Sequence, residues 1–215
     1  MLLNIKYKEL YNIIKKYKGG LYNMNAKGHA IIGAACGAMV GATLNAVSPE
    51  FLDVGNKTNT ALYMVSVIKC TAGAVIGALI VDIDTKKSKA SQFFVKVLLA
   101  LIWAYVAISI LNIGFLNNLL KDYYYEISTH TVIVSFAILC TLGKLSPHRQ
   151  FTHKVVGTTV FCIVAYYLFE QATAIGFMVG YISHILLDKT TKAGLKFFDI
   201  KLPLQDSRGN VKINL

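Results

Sequence analysis

The longest uncharged run of the chain limits the available folds most strongly. No Asp, Glu, Lys or Arg occurs from Val97 to Leu120, in a chain of 215 residues that is 55% hydrophobic and only 15% charged. Soluble domains carry about 25% charged residues, and about 20 consecutive apolar residues in a helix suffice to cross the hydrocarbon of a bilayer. The sequence therefore predicts an all-α integral membrane protein.

Further apolar runs predict a polytopic membrane helical bundle with about six spans. The last two runs are short, reaching only about 22 and 26 Å at 1.5 Å per residue, so they either use polar end residues to complete the crossing or form a re-entrant hairpin. Lys69 lies near the middle of the second run; it is a functional candidate, unless it snorkels or pairs with a backbone carbonyl. The predicted spans are residues 30–48, 61–81, 95–116, 127–143, 155–169 and 171–187.

Composition divides the chain into three parts. Residues 1–23 form a basic amphipathic N-terminal extension, which we interpret as an interfacial helix on an anionic leaflet or as a disordered basic tail. Residues 24–204 form the membrane-embedded domain, and residues 205–215 form a polar C-terminal tail.

The distribution of the basic residues predicts the orientation of this domain. The net charge is +11, and a cytoplasmic N-terminus followed by six spans puts 19 of the 22 basic residues on the cytoplasmic side. The positive-inside rule favours that arrangement, and it predicts a multi-pass membrane protein with a cytoplasmic N-terminus and with the lipid bilayer as its partner. Nucleic acid is not an expected partner, because no basic patch interleaved with aromatic residues lies on a soluble domain.

The same topology brings potential metal ligands from four separate segments to the cytoplasmic face. One segment begins the first span, one follows the second, one joins the fourth and fifth, and one ends the sixth. The ligands are His29, Asp82, Asp84, His148, His153, His184 and Asp188.

Two of these segments carry paired ligands. Asp82 and Asp84 end an apolar run, where alternate carboxylates either share a cation or cap the membrane interface. His184 and Asp188 lie one helical turn apart on one face, so they either chelate one divalent ion or form an ordinary hydrogen-bonded pair.

The segment SPHRQFTHK carries two histidines that one unbroken helix would splay apart by about 140°. Pro147 suits a loop or a first helical turn, so we expect His148 at the rim of the site and His153 one turn inside. Arg149 is a candidate to neutralise an anionic substrate, for which phosphate matches its planar fork. The alternative for Arg149 and Lys154 is anchoring at the cytoplasmic interface.

The chemistry of this ligand set indicates the metal. Histidine and aspartate without cysteine suit Zn²⁺, Mn²⁺ or Fe²⁺. Seven ligands exceed one tetrahedral site, which favours a cluster of two or three ions of the kind that supports displacement at a phosphoester.

The ordered motifs resemble those of a known family. Gly28–His29, D-I-D at 82–84, H-R-x-x-T-H at 148–153 and G-Y-x-S-H-x-L-x-D-x-x-T-x-A-G at 180–194 resemble the YdjM-type inner-membrane metal-dependent hydrolases, which are linked with the LexA-controlled SOS regulon. The resemblance covers residues 24–204. The family is distantly similar to zinc-dependent phospholipases C and single-strand nucleases.

This resemblance implies hydrolysis of a phosphoester with the histidines and aspartates above as metal ligands, and with Asp84 as a ligand or general base. The chain departs from the family pattern at Val81, Thr85, Gln150 and Lys154, and a family histidine is replaced at Thr85. We therefore predict a membrane-bound metal-dependent phosphoesterase with Asp84 and Arg149 as catalytic residues, acting on a lipid or lipid-linked phosphoester. The alternatives are a non-catalytic membrane protein with a structural metal site and a divalent-cation transporter.

Overall fold

The computed structural model describes residues 26–48, 60–85, 89–111, 127–190 and 196–213, and the predicted N-terminal extension lies outside them. The all-α prediction is confirmed for this part of the chain, where the single β-bridge joins Gln205 to Val211. The described residues form six α-helices: α1 (Ala26–Val47), α2 (Thr60–Ile80), α3 (Lys89–Leu111), α4 (Ile127–Leu145), α5 (Val155–Leu168) and α6 (Gln171–Lys189). A 3₁₀ segment, Val81–Asp84, follows α2, and a second, Phe151–His153, precedes α5.

Each predicted span corresponds to one of these helices, with shifted ends. Helix α1 begins at Ala26, so His29 lies within its first turn. Two of the described helices are long and apolar enough to cross a membrane, Ala26–Val47 and α2 with its 3₁₀ extension, Thr60–Asp84. Three shorter apolar stretches follow at Leu99–Ile108, Thr131–Leu145 and Val155–Leu168.

Small residues hold α1, α2 and α6 in close contact. Helix α1 runs antiparallel to α2 and α6 runs parallel to it, with glycines at four-residue spacing along each contact. Because a glycine has no Cβ, the backbones approach each other closely, as in packed transmembrane helices. The facing pairs are Gly33 with Ala78, Gly37 with Ala74 and Gly41 with Cys70 between α1 and α2, and Gly73 with Thr173, Gly77 with Phe177, Gly176 with Cys70 and Gly180 with Ala74 between α2 and α6.

This packing decides where the polar ends of the helices meet. The beginning of α1, the end of α2 and the end of α6 all lie at the same end of the bundle. Helices α4 and α5 cover the other side of α6 through an aromatic core, in which the Phe161 ring lies 5.7 Å from that of Tyr181 and 6.2 Å from that of Phe136. Tyr181 is fully buried.

The connection from Ser146 to Lys154 closes this end of the bundle. It is not one helix, since a turn at 147–150 precedes the 3₁₀ segment and Arg149 has a φ of +61°. The C-terminal segment packs on the connection through two bonds, from Val155 N to the Phe197 carbonyl (3.1 Å) and from Leu204 N to Ser146 Oγ (3.0 Å).

Lys69 forms an ion pair with Glu170 that the sequence does not predict. Its Nζ donates to Oε2 of Glu170, at the turn between α5 and α6, over 2.7 Å. The lysine in the middle of α2 therefore meets a carboxylate instead of a backbone carbonyl.

Candidate metal centre

All seven predicted ligands meet at the closed end of the bundle. They form three overlapping groups in which one ligand atom from each residue lies within 4.8 Å of the others. Each group draws on at least two segments of the chain. The groups are His29, His184 and Asp188; Asp82, His153 and His184; and Asp82, Asp84 and His148.

The His184 ring is oriented by a backbone carbonyl of α2. Its Nδ1 lies 2.6 Å from the oxygen of Ala78, and because a carbonyl only accepts, Nδ1 must carry the proton. The lone pair then resides on Nε2, which is buried, has no hydrogen-bond partner and lies 3.8 Å from Oδ1 of Asp82. A histidine whose second nitrogen is fixed in this way is a typical metal ligand.

The His153 ring is oriented through a hydroxyl. Thr152 Oγ1 lies 3.0 Å from Nδ1 of His153 and 3.4 Å from Oδ2 of Asp84. The carboxylate can only accept the hydroxyl proton, so the hydroxyl oxygen accepts from Nδ1–H of the imidazole. Nε2 of His153 is then left buried without a hydrogen-bond partner, 3.5 Å from oxygens of both Asp82 and Asp188.

His29 completes the inner part of the site from α1. Its ring stacks on that of His184 with centroids 3.8 Å apart and planes inclined by 16°. Its Nε2 lies 3.5 Å from Oδ1 of Asp188. The carboxylate of Asp188 thus stands between imidazoles from α1 and from the connecting segment.

His148 and Asp84 form the outer part of the site. Asp84 is fully buried, and its Oδ1 lies 3.0 Å from Nδ1 of His148. The His148 side chain is 33% exposed, whereas that of His153 is fully buried. The expectation that His148 lies at the rim and His153 inside is confirmed.

Arg149 contacts two aspartates of the site. Its backbone N–H donates to Oδ2 of Asp84 (2.8 Å), and a guanidinium nitrogen lies 3.5 Å from Oδ2 of Asp188. The positive φ of Arg149 turns the chain so that both contacts are made. About a third of the side chain is exposed, at the same rim as His148.

Three carboxylates lie close together among the described residues of the centre. Their contacts there are with imidazoles and with the Arg149 guanidinium, and buried carboxylates require compensation by metal, proton or cation. Burial alone would lower the pKa of His153, but the adjacent Asp82 carboxylate and the charges of Asp84 and Asp188 raise that pKa above its ordinary value. The position between these carboxylates therefore attracts positive charge, either a proton or a metal ion.

The chain matches one protein family over most of its length. Residues 24–214 match the YdjM inner membrane protein family. The chain belongs to this family. No curated protein and no solved structure matches the chain.

Membership of the YdjM family confirms the resemblance found in the motifs, and the inner-membrane location agrees with the two helices able to span a bilayer. The buried histidine and aspartate groups of this YdjM protein could bind a metal ion. The assignment of individual ligands, of Asp84 and Arg149 as catalytic residues, and of the hydrolase activity stays a prediction.

Three contributions to this YdjM site escape sequence reasoning. Thr152 lies inside the H-R-x-x-T-H motif, but its link between Asp84 and His153 follows only from the folded backbone. Tyr181 donates to the Thr152 carbonyl over 2.6 Å and holds the 3₁₀ segment in place. The Ala78 carbonyl, which orients His184, leaves no signal in a sequence because every residue has one.

Lys154 differs from its expected role at the interface. The side chain is buried, and Nζ donates to the Lys196 carbonyl over 2.7 Å and lies 3.6 Å from Oδ2 of Asp199. Burial lowers the pKa of Lys154. The anchoring interpretation is therefore wrong for Lys154, which ties the C-terminal segment to the site.

Proposed function

We propose that this protein is a membrane-embedded, metal-dependent hydrolase, a phosphoesterase that acts on a lipid or lipid-linked phosphoester at the cytoplasmic face. One observation supports the metal above all others. Nε2 of His153 and Nε2 of His184 are both buried, neither has a hydrogen-bond partner among the described residues, and both face Oδ1 of Asp82. Two imidazole lone pairs aimed at a shared carboxylate are the donor set of a divalent cation site.

The donor set favours zinc, with manganese and iron as alternatives, because it combines imidazole nitrogen with carboxylate oxygen and contains no thiolate. The three overlapping ligand groups support two or three ions, since one ion cannot use all seven residues. When bound, such ions would activate water and stabilise negative charge on the oxygens of a phosphoester.

The rim residues suit the remaining tasks of a phosphoesterase. His148 is the exposed imidazole of the site, and the Asp84 carboxylate behind it fixes its ring through Nδ1. We propose Asp84 as a metal ligand or general base, with His148 beside it as a ligand at the rim. The Arg149 guanidinium, beside Asp188, is placed to bind a phosphoryl oxygen.

The cytoplasmic placement of the site rests on charge. The end of the bundle that holds the centre also carries Lys144, Lys189, Lys196 and Lys201, and basic residues flank spans on the cytoplasmic side. We propose a multi-pass topology with a cytoplasmic N-terminus on this basis. In a variant whose four cysteines are replaced, a cysteine introduced at Ser207 should react with a membrane-impermeant thiol reagent in inside-out vesicles only. Reaction in right-side-out vesicles would reverse the topology.

The decisive experiment measures metal content and hydrolysis on the same preparations. Purified wild type should carry zinc or another divalent metal and hydrolyse a member of a phosphoester panel that includes phospholipids and lipid phosphates. The double variant His184→Ala/Asp188→Ala should lose both properties, whereas Asp199→Asn, a carboxylate outside the ligand groups, should keep them.

Three other outcomes would replace the proposal. Equal, near-zero metal in wild type and the double variant would refute the metal site. Bound metal without hydrolysis across the panel would favour a structural site. Metal flux in proteoliposomes that the double variant abolishes would favour a transporter, although the ligands lie at helix ends, away from the midplane where transport sites usually lie.

A further inference from the structure

Helices α5 and α6 form a hairpin, and its first helix, α5, is too short to cross a bilayer. Helix α5 has 14 residues, which span about 21 Å at 1.5 Å per residue. The hydrocarbon core is about 30 Å thick. Because the other end of the hairpin lies at the metal centre, its turn at Phe169 and Glu170 is expected inside the hydrocarbon.

Two independent contacts fix the level of this turn. Glu170 pairs with Lys69, which lies nine residues after Thr60, the first described residue of α2. The Phe169 ring lies 6.1 Å from that of Phe136, which lies nine residues after Ile127, the first described residue of α4. Both contacts place the turn about 13 Å from the first described residues of these helices.

An apolar cavity of about 400 Å³ lies beside this turn, between α2, α3 and α4. Its lining includes Ile76, Leu101, Ile133, Phe136 and Phe169, and among the described lining residues Tyr105 alone has a side-chain hydroxyl. Ile76 and Leu101 are 41% and 64% exposed, so the cavity continues into the outer apolar surface of the bundle. In the proposed multi-pass topology that surface contacts lipid.

We propose that this cavity is a binding site for one acyl chain of a membrane lipid. The side chains around an unfilled cavity lose dispersion contacts. At this depth in the bilayer, a flexible hydrocarbon chain is the molecule available to fill it. The volume lies within the range of ligand pockets, about 300–1,000 Å³. The continuity of the cavity with the lipid-facing surface gives a chain direct access from the bilayer.

The inference rests on the proposed multi-pass topology and not on the proposed hydrolase activity. The test is to reconstitute the full chain in vesicles of phosphatidylethanolamine and phosphatidylglycerol, with a trace of phospholipid that carries a diazirine in mid-chain. After photolysis, label on Phe169 and Ile133 is compared with label on Ile163 and Tyr166, which lie exposed on α5. Neither metal nor turnover is needed, so failure here leaves the proposed function untouched.

A pair of matched variants makes the test specific. Ile133→Trp fills the cavity, and Ile138→Trp makes the same change on the exposed side of α4. We expect Ile133→Trp to lower the label on Phe169 about ten-fold, the effect of about 1.4 kcal/mol of lost binding, and to leave the label on Tyr166 unchanged. Ile138→Trp should change neither.

Three results would overturn the proposal. The first is equal labelling of the cavity residues and of the exposed surface of α5. The second is unchanged labelling of Phe169 in an Ile133→Trp variant that elutes and melts like wild type. The third is label on residues 112–126 in place of the cavity residues. The last result would mean that the connection between α3 and α4 fills the cavity. If Ile133→Trp fails to fold, Ile76→Trp fills the same cavity from α2 and replaces it.

Discussion

The close contact between α2 and α6 predicts that Gly180→Ala disables the metal centre from a distance. A Cβ at position 180 would overlap the Ala74 carbonyl oxygen and lie 2.7 Å from the Ala74 Cα, whereas carbon atoms pack at about 3.5–4.0 Å. The helices must therefore separate by about 1 Å. That shift would lengthen the bond between His184 Nδ1 and the Ala78 oxygen from 2.6 Å to a distance at which hydrogen bonds fail, about 3.6 Å.

Two effects should follow from this separation. Overpacking costs about 1–3 kcal/mol of unfolding free energy, measurable as a lower melting temperature in detergent. Loss of the bond that orients a metal-ligating histidine costs about 10–100-fold in metal affinity, measurable by titration of the metal-free protein with zinc.

Gly176→Ala is the matched control for this prediction. A Cβ there would overlap the Cys70 carbonyl in the same way, but eight residues before His184, which is about 12 Å along α6. It should lower the melting temperature to a similar extent and change zinc affinity much less. Equal zinc affinity in wild type and Gly180→Ala would refute the role of the Ala78 carbonyl, and equal losses in both variants would show a general effect of stability.

Three further predictions concern single contacts. Tyr181→Phe removes the donor to the Thr152 carbonyl and should cost about 1–3 kcal/mol in thermal unfolding; an unchanged melting temperature would mean that this carbonyl finds another donor. If the ion pair lies in hydrocarbon, Lys69→Met and Glu170→Gln should each lower the unfolding free energy by about 2.5–3.5 kcal/mol, and the double variant should be close to wild type. A coupling energy below about 1 kcal/mol in the double-mutant cycle would place the pair in water. Because the pKa of His153 is raised above its ordinary value, its proton competes with metal up to a higher pH than usual, so zinc affinity should begin to fall, as the pH is lowered, above the ordinary imidazole pKa of about 6.5. A pH-independent affinity would remove this imidazole from the ligand set.

The helices can be predicted from the sequence because a bilayer restricts which backbone structures an apolar run can form. A run without charge must be helical in lipid, since backbone groups there have no water to bind, and all six runs correspond to helices. Charge asymmetry then put the ligands on one face without any knowledge of packing. The placement of His148 at the rim and His153 inside is also predictable, because one unbroken helix would splay them by about 140° and Pro147 suits a loop or a first helical turn.

The contacts that orient the ligands were not accessible in the same way. The bond to Ala78 depends on the register between α2 and α6, which the glycines set. The pairing of Lys69 with Glu170 depends on how deep the α5–α6 turn lies, and a list of spans carries no depth. The alternative of interfacial anchoring for Lys154 follows from the rule that a basic residue beside a span usually faces headgroups, whereas its contacts with Lys196 and Asp199 exist only in the folded C-terminal segment.

The contact between His29 and Asp188 also has a consequence for biosynthesis. His29 lies in α1 and Asp188 in α6, so the ribosome makes all the other described helices between α1 and the last contact of the pair. Until α6 is inserted, His29 has no Asp188 carboxylate beside it. In the proposed metal centre, loading of the His29, His184 and Asp188 group must therefore follow insertion of α6.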